Sequence, residues 1–277
     1  MPQLARLYGA RYYVGVLRFV DRVGSQVIAS AQGFAYAMGF FAVILRESLV
    51  YIRQRKSRRV LTFQILFTAI EALPVIAILS LGLGAIIIIQ GVALLPQFGQ
   101  GQLVYAILIT VITRELGPIL TAFIIAARSG TAIATELGNM VVSHEIEAYI
   151  ANGINPISYL VVPRFLGVTI SLILLNIYFN IFGLLGSFFV TSLVATIDFR
   201  DYFTSLLNAL TVADVGMSLL KSAVSGAIIS TVATFYGFKV EQASTEVPVM
   251  AIRSVGRGFI LIILTNAFLT AMYYLSV

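Results

Sequence analysis

The sequence predicts an all-α integral membrane protein, with five spanning helices, one helix lying in the membrane interface before them, and a short cytoplasmic helix between two spans. Three observations carry that expectation. Of the 277 residues, 59% are hydrophobic and only 11% are charged, whereas soluble domains carry about 25% charged residues. Uncharged runs cover 72–113, 165–197 and 258–277, each long enough for the ~20 apolar residues that a spanning helix needs. The basic residues are unevenly spread: residues 1–60 hold ten of the eighteen Lys and Arg against two acids, Asp21 and Glu47. A nucleic-acid-binding tail is one reading of that excess, but beside so much apolar sequence it reads as a cytoplasmic membrane-surface segment.

Residues 1–60 form the basic N-terminal segment, and 61–277 the five-helix domain. The basic N-terminus is not followed by a short apolar core with a small-residue cleavage site, so no cleavable signal peptide is expected. The first uncharged stretch, 23–45, contains Ser25, Gln26, Ser30 and Gln32. Arg18 and Arg22 precede it, and Arg46, Arg53, Arg55, Lys56, Arg58 and Arg59 follow it. A span there would push one basic cluster to the outer face, against the positive-inside bias. A helix in the inner interface keeps both clusters in the cytoplasm, and that placement is the expectation.

Spanning helices are expected at 65–90, 103–135, 165–196, 215–238 and 258–275. They must be helical because an unpaired backbone group in lipid costs several kcal/mol. Turn chemistry separates them at 95–99, at 152–156 and at Glu246-Val247-Pro248. The first span carries Glu71 and Pro74, with Gly82 and Gly84 expected to permit close helix packing, as are the small residues of 222–234. If the first span leaves the cytoplasm after Arg59, the loop at 92–102 is outside and has no basic residue. The 128–164 connection is inside with Arg128 and Arg164, and 197–214 is outside with Asp198, Asp201 and Asp214 against Arg200. The 239–257 connection is inside with Lys239, Arg253 and Arg257. The N-terminus is then cytoplasmic and the C-terminus lies on the opposite side.

Arg114 and Glu115 fall near the middle of the second predicted span, and Lys221 about two turns into the fourth. An ionisable group at membrane depth costs a few kcal/mol, so it faces protein or water and finds a partner. A structural ion pair and a polar patch lining a path for an amphipathic substrate both fit. Pro118 follows at once, which frees a backbone carbonyl and bends the helix.

The inner connection contains a short helix near 143–152, with Ser143 as its N-cap, acids just behind it, and Asn152-Gly153 as its stop before Pro156. Ile146, Tyr149 and Ile150 share one face, with Glu145 off it. Docking against a cytoplasmic partner and packing on the membrane surface are both open for this helix. Several activities are excluded. There is no Gly-x-x-x-x-Gly-Lys-Ser/Thr phosphate loop. His144-Glu145 begins a zinc-protease pattern that Ala148 ends, and one His with no Cys leaves no metal site. Ala127-Arg128-Ser129-Gly130 has the look of an intramembrane serine-protease motif but lacks the first Gly, and the single His is placed outside the bilayer. No catalytic residues are expected, and the chain is not read as an enzyme.

Arg114-Glu115-Leu116-Gly117-Pro118, Glu136-Leu137-Gly138-Asn139-Met140, Glu145-Ile146-Glu147-Ala148 and Pro163-Arg164-Phe165 closely resemble, in order and spacing, the motifs of the MlaE/YrbE permease family. Leu220-Lys221-Ser222 and Tyr236-Gly237-Phe238 extend the match, which covers roughly 60–277. The resemblance implies the permease of an ABC transporter moving lipids, with phospholipid as the expected cargo, in the bacterial inner membrane with the C-terminus periplasmic. It implies a homodimer, a cytoplasmic ABC ATPase that binds the ATP, a periplasmic MCE-domain protein, and membrane lipids as partners. No cofactor of its own and no nucleic acid are implied. The basic N-terminal segment would carry the interfacial elbow helix. The helix with Glu145, Ile146, Ala148, Tyr149 and Ile150 would be the ATPase-coupling helix, and Arg114, Glu115 and Lys221 the polar part of the lipid path. Two departures stand near the end: Ala251-Ile252-Arg253 where the family has Thr-Thr-Arg, and Asn266 where some relatives carry an acid. A secondary transporter or channel acting alone is the alternative; it predicts an internal inverted repeat, and the five helices do not divide into matching halves. A membrane scaffold without transport fits poorly with three charges at membrane depth.

Overall fold

A computed structural model describes residues 33, 35–53, 58–94, 103–194, 199–241 and 243–276. Residues 23–32 of the expected interfacial helix and the turn at 95–99 lie outside the described residues. The chain divides into two compact units, residues 1–46 and 47–277. The described part of the first unit is helical, and Ile44 within it is buried.

Nine helices are described. They are α1 (Ala35–Arg53), α2 (Arg58–Ile70), α3 (Leu73–Leu94), α4 (Leu103–Val142), α5 (Glu145–Ala151), α6 (Val162–Val194), α7 (Phe199–Ala209), α8 (Val212–Gly237) and α9 (Glu246–Ser276). Among them α1, α3, α4, α8, α9 and α6 with its lead-in turn are long and apolar enough to cross a membrane. Length and composition therefore admit a sixth crossing helix, α1, beside the five expected.

The expected first span at 65–90 is not one helix. It breaks at Glu71–Ala72 into α2 and α3. Pro74 has no N–H for the carbonyl of Ile70, and its ring crowds that carbonyl. The amide of Ala72 turns back to Ala69 O at 3.1 Å instead. Arg128 from α4 braces the break, donating to both the backbone carbonyl and the side-chain carboxylate of Glu71.

Helix α4 is continuous for 40 residues but contains two π-helical segments, Ile109–Leu116 and Ala126–Gly130. The first ends where Pro118 removes a donor, and the amide of Gly117 reaches five residues back to Ile112 O. At about 1.5 Å per residue α4 is roughly 60 Å long, twice the ~30 Å hydrocarbon core. It therefore carries Arg114 and Glu115 near one end and Glu136 near the other on one rod. The Glu246-Val247-Pro248 break also moves: these residues open α9, where a Pro in the first turn costs no helical hydrogen bond. Arg253 and Arg257, expected in a loop, ride on that helix.

Small residues set the helix spacing, because apolar side chains gain little by leaving lipid for protein. A Cβ on Gly84 of α3 would overlap the Gly183 carbonyl of α6, so these helices touch backbone to backbone. Gly82 has nothing within 4 Å, contrary to the expectation that it packs. Helix α7 follows α6 in the chain, with Tyr202 buried and its hydroxyl 2.6 Å from Ser187 Oγ on α6. Burial pushes the Tyr202 phenol up to about 12, so it stays a neutral hydrogen-bonding group.

Candidate functional site

Three helices converge on the charges that the sequence placed at membrane depth: the first π segment of α4, the first turns of α8 and the last turns of α9. Lys221 on α8 is only 1% exposed at its side chain. Its Nζ lies 2.9 Å from each Glu115 carboxylate oxygen, 2.7 Å from Thr270 Oγ1 and 3.1 Å from Arg114 O. Arg114 O is the carbonyl that an N–H at position 118 would have bonded, so the acceptor freed by Pro118 is taken by an ammonium group. Asn266 Nδ2 donates to Glu115 Oε2 at 3.3 Å, and Thr270 Oγ1 sits 3.2 Å from Oε1.

Arg114 makes a separate pair with Asp214. Its guanidinium also donates to Tyr274 Oη at 3.1 Å and lies over the Tyr273 ring, 4.6 Å from the centroid. Asp214 is fixed by a capping box at the start of α8: the Thr211 amide donates to Asp214 Oδ2 at 3.0 Å, and the Asp214 amide donates back to Thr211 Oγ1 at 3.2 Å. The capped helix end thus holds the carboxylate against Arg114.

The structure therefore brings Arg114, Glu115 and Lys221 together, but as members of two crossed ion pairs. The site lies 11 to 12 residues from the start of the 40-residue α4, toward one end of the bundle rather than its middle. Asp214 was missed because it reads as a loop acid among Asp198 and Asp201; the Thr211-x-x-Asp214 spacing was the available signal. Thr270, Tyr273 and Tyr274 carry no distinguishing signal in an apolar run. Two positive and two negative groups cancel, which keeps the insertion cost low. Glu115 is 30% exposed, so the cluster reaches the surface of the bundle there. Around the π segment the buried atoms Thr113 Oγ1, Arg114 Nε, Asn176 Oδ1, Asn180 Oδ1 and Asn266 Oδ1 have no hydrogen-bond partner. The site thus holds unfilled polar capacity.

At the other end of α4, Ser143 is not the N-cap of the short helix. Its hydroxyl bonds back to Asn139 O at 2.8 Å, and His144 occupies the cap in a left-handed conformation with φ 59°. The stop behaves as expected: Gly153, at φ 73°, donates to Ile150 O, and Ile154 donates to Tyr149 O, each at 2.9 Å. The expected apolar face divides. Ile146 and Tyr149 pack against the core, while Ile150 is 60% exposed beside the exposed Glu145, Glu147 and Ala148. The Tyr149 and Tyr159 rings also meet at a tilt, with centroids 5.4 Å apart. Arg164, buried at the start of α6, pairs with Glu136 at 2.6 Å and ties α6 to the second half of α4.

The model of the family described as permease MlaE matches residues 61–272, which include both of these regions. The chain belongs to the MlaE permease family. It is a multi-pass membrane protein of a transport family rather than of an enzyme family. A probable ABC transporter permease protein of Rickettsia felis is 29% identical over 94% of this chain and 99% of its own. The intermembrane phospholipid transport system permease protein MlaE of Haemophilus influenzae is 25% identical over 94% and 98%. The chloroplastic protein trigalactosyldiacylglycerol 1 of Arabidopsis thaliana is 31% identical over 61% of this chain and 49% of its own. Within the MlaE-family chain, the Arg114–Gly117 stretch lies in the first π segment and its closing residue, and Glu136 and Arg164 form a cross-helix pair.

Proposed function

We propose that this chain is the permease subunit of an ABC transporter that moves phospholipid between the bacterial inner membrane and a periplasmic MCE-domain protein. A separate cytoplasmic ATPase binds the ATP and drives the cycle, and two copies of the chain pair in the membrane. The observation that carries the reading is the crossed-pair cluster of Arg114, Asp214, Glu115 and Lys221, set in an apolar bundle and reaching its surface at Glu115. Such a cluster is neutral when empty, and a phosphate or an ammonium group entering it exchanges for a carboxylate or a cation already present.

Helix α1 lies in the inner interface, which leaves α3, α4, α6, α8 and α9 as the five crossings. The support is charge: Arg46 and Arg53 on α1 join Arg58 and Arg59 on α2 on the cytoplasmic side. The N-terminus is then cytoplasmic and the C-terminus periplasmic. Helix α5 is the coupling helix. Its exposed Glu145, Ala148 and Ile150 meet the ATPase, while Ile146 and Tyr149 transmit the motion to the bundle.

Tagged protein purified in mild detergent is expected to bring down an ATPase and co-purifying phospholipid. Recovery of the chain alone, without either, would sink the reading. Ala148→Arg with Ile150→Asp is expected to abolish ATPase recovery while leaving membrane insertion intact; unchanged recovery would move the coupling site elsewhere.

A further inference from the structure

The brace at the α2–α3 break borders a cleft that the crossed-pair cluster does not use. This cleft of about 190 Å³ is lined by Phe67, Thr68, Glu71, Arg128, Ser129 and Ala132. On α4, Arg128 stands 14 residues from Arg114 (128 − 114), about 20 Å along the helix, so the two places are distinct. The ion pair at its mouth is accessible, with the Arg128 side chain 39% and Glu71 53% exposed. Of five guanidinium N–H donors, two serve Glu71, leaving three. Thr68 lines the cleft with a buried hydroxyl that has no hydrogen-bond partner. Beside it, Phe63, Leu66, Phe67 and Ile70 form an exposed apolar stripe along α2. A brace for the Pro74 break accounts for the bond to the Glu71 carbonyl. It does not account for the cleft, the idle hydroxyl, or an acid and a base left open to the surface.

We propose that this cleft binds the phosphoethanolamine headgroup of a membrane phospholipid, as a second headgroup station of the lipid permease read above, on which the assignment rests. The phosphate takes the free edge of the Arg128 guanidinium, whose planar fork suits two phosphate oxygens. The ammonium donates to the Glu71 carboxylate, and the acyl chains lie along the α2 stripe. Binding adds no net charge, because the phosphate and the ammonium of the headgroup cancel as Arg128 and Glu71 do. A choline headgroup has no N–H to give Glu71, and a glycerol headgroup brings a phosphate without a cation to offset the carboxylate. Ethanolamine is therefore selected over both.

The full chain, reconstituted in nanodiscs of equal phosphatidylethanolamine, phosphatidylcholine and phosphatidylglycerol with matched acyl chains, tests this by mass spectrometry of the lipid retained after mild extraction. Wild type is expected to enrich phosphatidylethanolamine. Glu71→Gln is expected to lower its ratio to phosphatidylglycerol about tenfold, the size of one lost charge-assisted hydrogen bond. Thr68→Val, which keeps the ion pair, is expected to lower lipid retention less, and Arg128→Lys to keep more lipid than Arg128→Ala. An unchanged headgroup ratio in Glu71→Gln, with ATP-driven transfer still running, would overturn the cleft assignment and leave the transport reading standing. Loss of the ratio in Glu71→Gln when even wild type transfers no lipid would support the cleft while removing the transport reading. Binding of millimolar O-phosphoethanolamine by wild type, with no phospholipid retained at the cleft, would assign it to a soluble phosphomonoester and overturn the lipid assignment.

Discussion

Lys221 is the residue on which the crossed-pair cluster turns. Its ammonium is held by a carboxylate, a hydroxyl and a backbone carbonyl at once. Removing one member of a buried pair strands the other and costs about 3–5 kcal/mol. Lys221→Met is therefore expected to destabilise the protein by about 3 kcal/mol, discounted because Glu115 keeps some access to water. Lys221→Met with Glu115→Gln is expected to cost less than the two single changes summed, by about 1–3 kcal/mol. Thermal unfolding in detergent measures all three; strict additivity would show that the two groups act independently. The charges of this cluster were legible in the sequence because ionisable residues in an apolar run are conspicuous. Their partners were not. Asp214 is an ordinary loop acid until the Thr211 capping box turns it inward; Thr270 has nothing local to mark it, and Asn266 stood out only as a departure from the family pattern, with no sign that it bonds Glu115.

Among the elements, α3 and α6 show how packing in lipid rests on single small residues. A methyl group at Gly84 would overlap the Gly183 carbonyl, while one at Gly82 meets nothing within 4 Å. Gly84→Ala is expected to destabilise by about 1–3 kcal/mol, the usual cost of overpacking, and Gly82→Ala to be neutral or slightly stabilising. The same thermal unfolding separates them, and equal effects would contradict the close α3–α6 contact. Composition named both glycines alike, because the pattern of small residues does not say which face of α3 meets α6. The break at Glu71–Ala72 is a similar case. Pro74 was visible in the sequence, but the length of the apolar run around it read as one uninterrupted span. The brace comes from Arg128, 57 residues along the chain on another helix. The stop of α5 was legible to the residue, since Asn152-Gly153 is local turn chemistry. Its start was not, because Ser143 has two acceptable hydrogen-bond options and takes the backward one.

For the whole molecule, apolar length alone leaves the place of α1 open, and charge distribution supports the proposed interfacial one. Six helices are long enough to cross, yet α1 is bordered by basic residues on both sides. The chain has no Cys, so single introduced cysteines report topology cleanly. A cysteine replacing Gln3 is expected to react with a membrane-impermeant maleimide only after permeabilisation, and one replacing Thr204 in intact spheroplasts. Labelling of position 3 in intact spheroplasts would make α1 a sixth span. The sequence contains no Gly-x-x-x-x-Gly-Lys-Ser/Thr phosphate loop, and in the proposed reading a separate ATPase meets the exposed side of α5. In the proposed cycle, lipid movement through this chain is driven through α5. This is tested most directly by following transfer of labelled phospholipid from proteoliposomes containing the chain, its ATPase and an MCE-domain acceptor. Transfer is expected to require ATP and to be lost in Ala148→Arg with Ile150→Asp; equal transfer without ATP, or with that variant, would contradict drive through α5.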